Sequence, residues 1–294
     1  MNAGTIFLTV ASVNNLIPVR LMIDSLRSFG GDLADSPVWV FATDLATVPG
    51  LEEGHTRLYS LSVPDPVAGY LFGKIVAACA RAEELAPSGT RSLVFIDPTC
   101  LVVQPPLLFG LGSAFDAAFR PVHLRNVGLS PSEPLDPFWK GIYSAVGVDE
   151  IHTTVTSFVD RQLLRAYYNS HSFAVDPALG LMHRWYDLFL GLVGDDLFQS
   201  TACADEDHQV FLFQALLGTL VATMVEPGRL CLLPETYNYP YHLQDQIPGD
   251  RRLSILNESA CFTYEDRPLH PSAITGIEVR EPLKSWLATH IFVN

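Results

Sequence analysis

Four short strand-like segments, two of them apolar at every position, alternate with helical stretches in the first hundred residues. This alternation is the feature that most constrains the fold. The segments span residues 6–11, 38–42, 57–61 and 93–96. Strands that are apolar at every position are buried on both faces, which is typical of parallel sheets with helices on either side. We therefore predict an α/β fold with a mostly parallel central sheet flanked by helices.

Capping residues delimit the helices between these segments. Asn14 or Asn15 is placed to cap a first helix, and Gly30 is placed to end it. A second helix is expected over about residues 70–85, because apolar residues there recur at helical spacing.

The second half of the chain is less regular. Residues 121–140 contain four prolines and one glycine and predict a long loop, a type of segment that is often functional. Beyond it we expect a strand at 173–175, helices at about 177–192 and 207–220, and a late strand at 260–264. No linker-like segment interrupts the chain. We therefore predict one domain over residues 1–294.

Composition excludes several functional classes. The 294 residues include 18 Lys and Arg against 32 Asp and Glu, a net charge of −14. Such an acidic chain repels nucleic-acid backbones and anionic membranes, so neither is an expected partner. The most apolar stretch, residues 210–225, is shorter than the roughly 20 residues that a membrane span needs. Five widely spaced cysteines indicate reduced thiols in a cytoplasmic protein: Cys79, Cys100, Cys203, Cys231 and Cys261.

Ligands of open α/β sheets bind beyond the carboxyl ends of the strands. In this chain the rule points to residues 11–14, 43–44 and 97–99. The fingerprints G-x-G-x-x-G, G-x-x-x-x-G-K-[ST] and G-x-S-x-G are absent from the sequence. A dinucleotide-binding, P-loop or α/β-hydrolase site is therefore not expected.

Several short motifs nevertheless occur in the order typical of one enzyme family. After a first strand and loop at residues 9–14, they are Lys74 on a helix, Asp97-Pro98-Thr99, Tyr168-Asn169-Ser170-His171, Asp207-His208-Gln209, Leu233-Pro234-Glu235-Thr236-Tyr237-Asn238 and Phe262-Thr263-Tyr264. Over roughly residues 5–270 the chain thereby resembles the nucleotide-diphospho-sugar transferases of the Rossmann-like glycosyltransferase A type. It is most similar to the retaining family-eight glycosyltransferases.

The resemblance implies transfer of a sugar from a nucleotide-diphosphate donor, expected to be UDP-linked, to an acceptor hydroxyl. It divides the domain into a nucleotide-binding half, about 1–120, and an acceptor- and sugar-side half, about 121–294. No nucleophile is identified, and Asp207 is the candidate catalytic residue, as a contact to the acceptor or to a sugar hydroxyl. The residues that the resemblance places in the nucleotide-sugar site are Thr9, Ala11, Asn14, Lys74, Asp97, Thr99, Asn169, His171, Gln209 and Asn238.

Three positions depart from the family's pattern. Thr99 stands where a second carboxylate is expected, Thr263 where a metal-binding histidine is expected, and His171 where a glycine is expected. The resemblance implies Mn²⁺ or Mg²⁺ at Asp97, but these cations prefer several hard oxygen ligands. We therefore expect the protein alone to bind no metal measurably, and nucleotide binding to depend only modestly on Mn²⁺.

Other interpretations stay open. The broken acidic motif favours a non-catalytic nucleotide-sugar-binding or interaction protein on the same fold, whereas a sugar-nucleotidyltransferase is disfavoured because no Gly-rich basic loop follows the first strand. Single residues also have purely structural interpretations. Asp97 can start a turn, Lys74 can lie on a solvated helix face with Ala78 and Arg81, and Asp207 can cap its helix.

Overall fold

The computed structural model describes residues 4–291. Its helices are α1 (Leu16–Phe29), α2 (Asp65–Ala68), α3 (Gly73–Leu85), α4 (Pro137–Val146), α5 (Leu181–Val193), α6 (Asp196–Thr201), α7 (Glu206–Met224) and α8 (Leu283–His290). Its strands are β1 (Thr5–Val10), β2 (Val38–Ala42), β3 (Thr56–Ser60), β4 (Ser92–Ile96), β5 (Cys100–Val102), β6 (Ala117–Phe119), β7 (Thr154–Thr156), β8 (Leu163–Arg165), β9 (Ser172–Val175), β10 (Leu230–Leu232), β11 (Tyr239–Pro240) and β12 (Cys261–Thr263).

Seven strands form the central sheet in the order β10-β6-β9-β4-β1-β2-β3. β9 runs antiparallel to both of its neighbours, and every other pair in this sheet is parallel. A smaller sheet has the order β11-β12-β5, and β7 pairs with β8. The predicted mostly parallel sheet is therefore confirmed, and it takes strands from both halves of the chain.

Helices cover both faces of the central sheet. On one face Ile6, Leu8 and Val10 of β1 join a core with residues of α3, α4, α5 and α7. On the other face Phe7 packs with residues of α1, including Met22. Successive strand residues point to opposite faces, so both faces must be apolar to be buried. This two-sided burial explains why the strand segments are apolar at nearly every position.

Most element boundaries agree with the sequence to within a few residues, and the differences have local causes. α3 begins at Gly73 rather than near residue 70, because residues 65–68 form a separate short helix. The Gly73 backbone passes so close to the Val67 carbonyl that a Cβ there would overlap it. α4 occupies the end of the predicted loop, because the Asp136 carboxylate caps it by accepting the Trp139 backbone N–H at 2.8 Å.

The residue that caps α7 is not Asp207, although the sequence allows that interpretation. Asp205 precedes the helix, and its carboxylate accepts the backbone N–H of His208 at 3.0 Å. Asp207 lies exposed in the first turn. Asp207 is therefore not the capping residue, because the chain enters the helix two residues earlier.

All five cysteines are free and buried, as the sequence predicts. Burial raises the pKa of the Cys79 thiol well above its ordinary value, which keeps it protonated. No helix in the part of the chain that the structure describes is long and apolar enough to cross a membrane.

α7 packs directly against the segment that leads into β9. Ten consecutive residues of this helix, 212–221, are buried. A Cβ at Gly218 would lie 3.1 Å from the Ala166 carbonyl oxygen and 3.3 Å from the Tyr167 Cα. The absence of a side chain at Gly218 therefore sets how closely the helix approaches the backbone just before residues 169–171.

We expect Gly218→Ala to lower the free energy of unfolding by about 1–3 kcal/mol, because both crowded neighbours are backbone atoms that cannot turn aside. Gly191→Ala is the matched control. Gly191 lies in α5 with open space where its Cβ would stand, so alanine there should raise the free energy of unfolding by roughly 0.5–1 kcal/mol. Urea denaturation measures both values, and changes of the same sign would contradict this account of the packing.

Candidate functional site

The candidate site lies at the carboxyl edge of the central sheet. β4 ends at Ile96, which pairs with Ser172 at the start of antiparallel β9. Residues just before β9 therefore lie at the same edge as residues just after β4. The backbone N–H of Asp97 donates to the His171 carbonyl at 2.7 Å. Two predicted motifs that are far apart in sequence meet here.

The small sheet brings two more segments to this edge. Thr263 at the end of β12 pairs with Cys100, which directly follows the Asp-Pro-Thr turn. β11 leads on to His242, whose Nδ1–H donates to the Thr263 carbonyl at 3.2 Å. Glu265 follows β12, and its carboxylate lies between the rings of His242 and His171.

A buried amide network holds the polar edge from behind. Asn238 Nδ2 donates to Asn169 Oδ1 at 3.1 Å and to the Ser172 carbonyl at 3.0 Å. Asn169 Oδ1 also accepts the backbone N–H of His171 at 2.9 Å. Both asparagines are buried, and their amide groups hydrogen-bond to other groups of the protein. In this arrangement they position His171.

His171 is arranged to carry a positive charge. Its Nδ1–H donates to Asn169 Oδ1 and its Nε2–H to Glu265 Oε1, both at 3.2 Å. Both partners are acceptors, a pattern that the doubly protonated ring satisfies. Burial opposes the charge, but the hydrogen bond to Glu265 and the charges of Asp97 and Glu265 outweigh it and raise the pKa of His171. The hydrogen bond from His171 also lowers the pKa of Glu265.

His242 shares the Glu265 carboxylate with His171. Its Nε2 lies 3.3 Å from the same Oε1 atom. Burial lowers the pKa of His242 and outweighs the attraction of Glu265, and the charge of His171 lowers it further. The Glu265 carboxylate therefore favours the charged form of His171, whereas burial disfavours the charged form of His242.

A buried arginine lies behind the imidazoles. Arg120 is 2% exposed, and it donates to the carbonyls of Tyr237 and Asn238. Its Nη2 is buried without a hydrogen-bond partner in residues 4–291, and burial lowers its pKa to about 10. Burial, together with the Arg120 charge, lowers the pKa of His123 well below the usual range. His123 is therefore a neutral ring that donates through Nε2 to the Asn238 carbonyl at 2.9 Å.

The donor atoms around Asp97 do not fit a resident divalent metal. Asp97 Oδ1 accepts both the backbone N–H of Thr99, at 2.8 Å, and its hydroxyl, at 2.6 Å. Thr99 therefore stabilises the turn, as the structural interpretation of Asp97 proposes. Among the described residues, no three His, Cys, Asp or Glu side chains are grouped so that they could hold a metal ion. Mn²⁺ and Mg²⁺ prefer several hard oxygen ligands, and this edge does not offer them.

A cavity of about 170 Å³ opens beside these groups. Its polar part contains Asp97, His171 and Glu265. Its remaining wall comes from the start of α3, from α7 and from Ser170 just before β9. The other lining residues are Phe72, Ile75, Ser170, Val210, Phe211, Phe213 and Gln214.

A second cavity, of about 310 Å³, shares Val210 with the first. Gln209 lines it, so this predicted residue lies one cavity away from Asp97. Asp207 belongs to the lining of neither cavity and points to solvent from the first turn of α7. The other residues of the second cavity are Gly69, Tyr70, Leu71, Gln199 and Glu206.

The predicted residues of the first strand lie at the same sheet edge but outside the lining of the first cavity. Thr9 and Ala11 are buried, and Asn14 is exposed in the turn that follows β1. Asn15 shapes this turn, because its Nδ2 donates to the Val10 carbonyl at 3.0 Å. Of the three predicted residues, Asn14 is the one that is open to a ligand.

Lys74 occupies the first turn of α3, where its neighbours Phe72 and Ile75 line the cavity. It is half-buried, and Ala77 and Ala78 on the following turn are buried. Of the proposed solvated face, Ala78 is therefore buried and Arg81 is exposed, so the interpretation fails at Ala78 and holds at Arg81. Among the ion pairs of residues 4–291, none involves Lys74.

Sequence reasoning missed four polar residues of this site: Arg120, His123, His242 and Glu265. Glu265 is the first charged residue after the late strand, so the strand-end rule could have found it. His242 lies four residues beyond the motif that ends at Asn238, and His123 lies in the predicted loop. No local sequence signal indicates that they meet His171.

We expect Glu265→Gln to lower the pKa of His171, because the amide removes the charge that stabilises the imidazolium. In the native protein the raised pKa adds stability below the ordinary histidine value, and this contribution is lost as pH rises through the folded-state pKa. The native protein should therefore have a larger free energy of unfolding than the Glu265→Gln variant at low pH. This difference should shrink as pH rises through the folded-state pKa of His171. NMR titration of the His171 ring measures the pKa, and urea unfolding at several pH values measures the stability.

Asp266→Asn is the matched control for that variant. It removes an exposed neighbouring carboxylate that lies outside the hydrogen-bonded cluster. We expect a smaller change in the His171 pKa than with Glu265→Gln. Equal changes in the two variants would contradict the specific role of the Glu265 hydrogen bond.

Comparison with known proteins adds information on the fold. No family model matches the sequence, and no curated protein matches it. The structure is similar to that of the galactosyltransferase LgtC in complex with donor and acceptor sugar analogues, with a TM-score of 0.50. The two sequences are 13% identical, and the comparison covers 98% of this chain and 97% of that chain. An active-site mutant of LgtC gives 13% identity, 97% and 95% coverage, and a TM-score of 0.53. The chain has the glycosyltransferase A fold, as the sequence predicts.

Proposed function

We propose that this protein transfers a sugar from a uridine-diphosphate donor to an acceptor hydroxyl. The observation that carries the proposal is the meeting of Asp97, His171 and Glu265 at a cavity on the carboxyl edge of a glycosyltransferase A sheet. Ligands of open α/β sheets bind at this edge. In this proposal residues up to about 120 hold the nucleotide, and residues from about 121 to 294 hold the sugar and the acceptor together with residues 69–75 and Asp97 of the first half.

The reaction breaks the bond between the anomeric carbon and the diphosphate oxygen and forms one to the acceptor oxygen. The acceptor proton passes to the leaving diphosphate, so that no separate base is required. Negative charge builds on the diphosphate, and a positioned cation stabilises it. Lys74 is suited to supply this charge, because it lies next to cavity-lining residues and takes part in none of the ion pairs of residues 4–291.

The acceptor is assigned to the second cavity. Gln209 lines it with an exposed amide group, which hydrogen-bonds to alcohols, whereas the Tyr70 hydroxyl donates to Gln199 in the same lining. Val210 lines both cavities, so an acceptor bound here lies next to a sugar in the first cavity. Acidic Glu206 in the same lining disfavours an anionic acceptor.

We expect UDP to bind, and Lys74→Ala to weaken its binding by about 1.5–3 kcal/mol, the value of a charge-assisted contact. Thr99→Ala should cost only about 0.5–1.5 kcal/mol, because its hydroxyl already donates to Asp97. Isothermal titration calorimetry measures both. No binding at millimolar UDP would refute the uridine site, and equal effects of the two variants would refute the role of Lys74.

We expect EDTA to weaken UDP binding by less than about tenfold, ~1.4 kcal/mol, because the site lacks a full set of metal ligands. A modest dependence on Mn²⁺ is compatible with the proposal, since the diphosphate brings oxygen ligands of its own. Equilibrium dialysis with Mn²⁺ tests the protein alone. Stoichiometric Mn²⁺ in the absence of nucleotide would show that the motif at Asp97 has been wrongly interpreted.

A non-catalytic nucleotide-sugar-binding protein is the second candidate. It is favoured by one observation: the hydroxyl of Thr99 occupies Asp97 Oδ1 in place of a second carboxylate. A coupled enzyme assay that measures the release of UDP from UDP-sugars distinguishes the two functions. Binding without any release, across a panel of hydroxylic acceptors, would favour the second candidate.

A further inference from the structure

The polar lining of the first cavity offers free hydrogen-bond acceptors. Asp97 uses Oδ1 for the turn at Thr99, and Glu265 uses Oε1 for the rings of His171 and His242. Among the hydrogen bonds and ion pairs in the described part of the chain, none uses Asp97 Oδ2 or Glu265 Oε2. An ionised carboxylate is an acceptor only, so each of these oxygens needs a donor from the ligand.

Donors are scarce in the same lining. Both N–H groups of His171 are engaged, one by Asn169 and one by Glu265. The Ser170 hydroxyl donates to Gln214 Oε1 at 2.8 Å. Among the lining side chains that the structure describes, the amide nitrogen of Gln214 is the donor that remains, and it is uncharged. A ligand in this cavity therefore meets more acceptors than donors.

The remaining wall is mainly apolar. The rings of Phe72 and Phe213 lie 4.6 Å apart, and Val210 and Phe211 belong to the same lining. The C–H face of a pyranose packs on such a surface, while its hydroxyls are free to donate to the carboxylates. A volume of about 170 Å³ is close to the roughly 150 Å³ of a cavity that holds one benzene molecule, so one sugar ring fills it.

The cations near the cavity do not offer donors to a ligand within it. Lys74 and Arg120 lie outside the lining. Lys74 is assigned to the diphosphate, and Arg120 is buried and donates to two backbone carbonyls. His171 carries its charge with both N–H groups engaged. A negatively charged group on the sugar would therefore be desolvated without a hydrogen bond from any of these cations.

We propose, on the basis of the proposed function, that the donor sugar is uncharged and that Asp97 and Glu265 exclude uronic acids from this cavity. The hydroxyls of an uncharged sugar donate to Asp97 Oδ2 and Glu265 Oε2. The carboxylate of a uronic acid accepts only, so that it faces either other carboxylate oxygens or the apolar wall. In both positions it loses water and gains few donors, which is unfavourable.

The test measures dissociation constants by calorimetry for UDP-glucose, UDP-glucuronic acid and UDP-glucuronamide, with UDP as the reference ligand. The amide has nearly the shape of the acid, but it is uncharged and brings N–H donors. A second series of UDP-galactose, UDP-galacturonic acid and its amide is measured in the same way. The series whose uncharged sugar binds more tightly decides the result.

We expect the acid to bind at least about tenfold more weakly than both the uncharged sugar and the amide, because its charge is buried without donors. A smaller difference from the uncharged sugar would overturn the proposal. A smaller difference from the amide would also overturn it, because size rather than charge would then decide. Failure of UDP itself to bind would refute the proposed function, and it is thus distinguishable from failure of the sugar assignment.

Glu265→Gln tests the assignment to this residue, because the amide replaces an acceptor oxygen with an N–H donor. It should reduce the preference for the uncharged sugar at least about threefold. The variant also weakens the charge of His171, so affinities are compared at a pH where NMR shows this ring protonated in both proteins.

Asp266→Asn is the matched control, because it removes an exposed carboxylate that lies outside the lining. It should leave the preference for the uncharged sugar unchanged. An unaltered preference in Glu265→Gln, or equal changes in the two variants, would overturn the role of Glu265 in excluding the acid.

Discussion

In the antiparallel pair of β4 and β9, Ile96 faces Ser172, and the next backbone hydrogen bond runs from the Asp97 N–H to the His171 carbonyl. This register places the residues before β9 at the carboxyl edge of an otherwise parallel sheet. A parallel β9 would carry its first residues to the opposite edge, some 13 Å away for a strand of four residues at about 3.3 Å each. The meeting of Asp97 and His171 therefore depends on one strand direction.

The charges that meet at this edge are of both signs. Asp97 and Glu265 are carboxylates, whereas Arg120 is a buried guanidinium behind the imidazoles and the pKa of His171 is raised. Because Thr99 occupies Asp97 Oδ1, the edge is poor in free oxygens for a dedicated metal site. Under the proposed function, the half-buried Lys74 at the start of α3 adds to the positive charges that stabilise the leaving diphosphate.

The sequence predicts the first half of this fold well, because its strands are apolar on both faces and its helices have clear ends. It also places Asp97, Thr99, Asn169 and His171 in one site through the order of short motifs. It does not predict that Glu265 and His242 join them. Those contacts follow from the pairing of strands of only two or three residues, β11, β12 and β5, whose register leaves no periodic pattern in the sequence.

Backbone strain shows how firmly the polar edge is held. Asn238 and Glu265 have φ angles of +48° and +46°, in the left-handed region that costs a non-glycine residue about 1 kcal/mol or more. Asn238 offsets this cost with its side-chain hydrogen bonds to Asn169 and Ser172. At Glu265 the same conformation accompanies a carboxylate that contacts the imidazoles of His171 and His242. The arrangement of charge is thus fixed by the folded backbone before any ligand binds, which is the condition under which fixed dipoles and charges stabilise a transition state most.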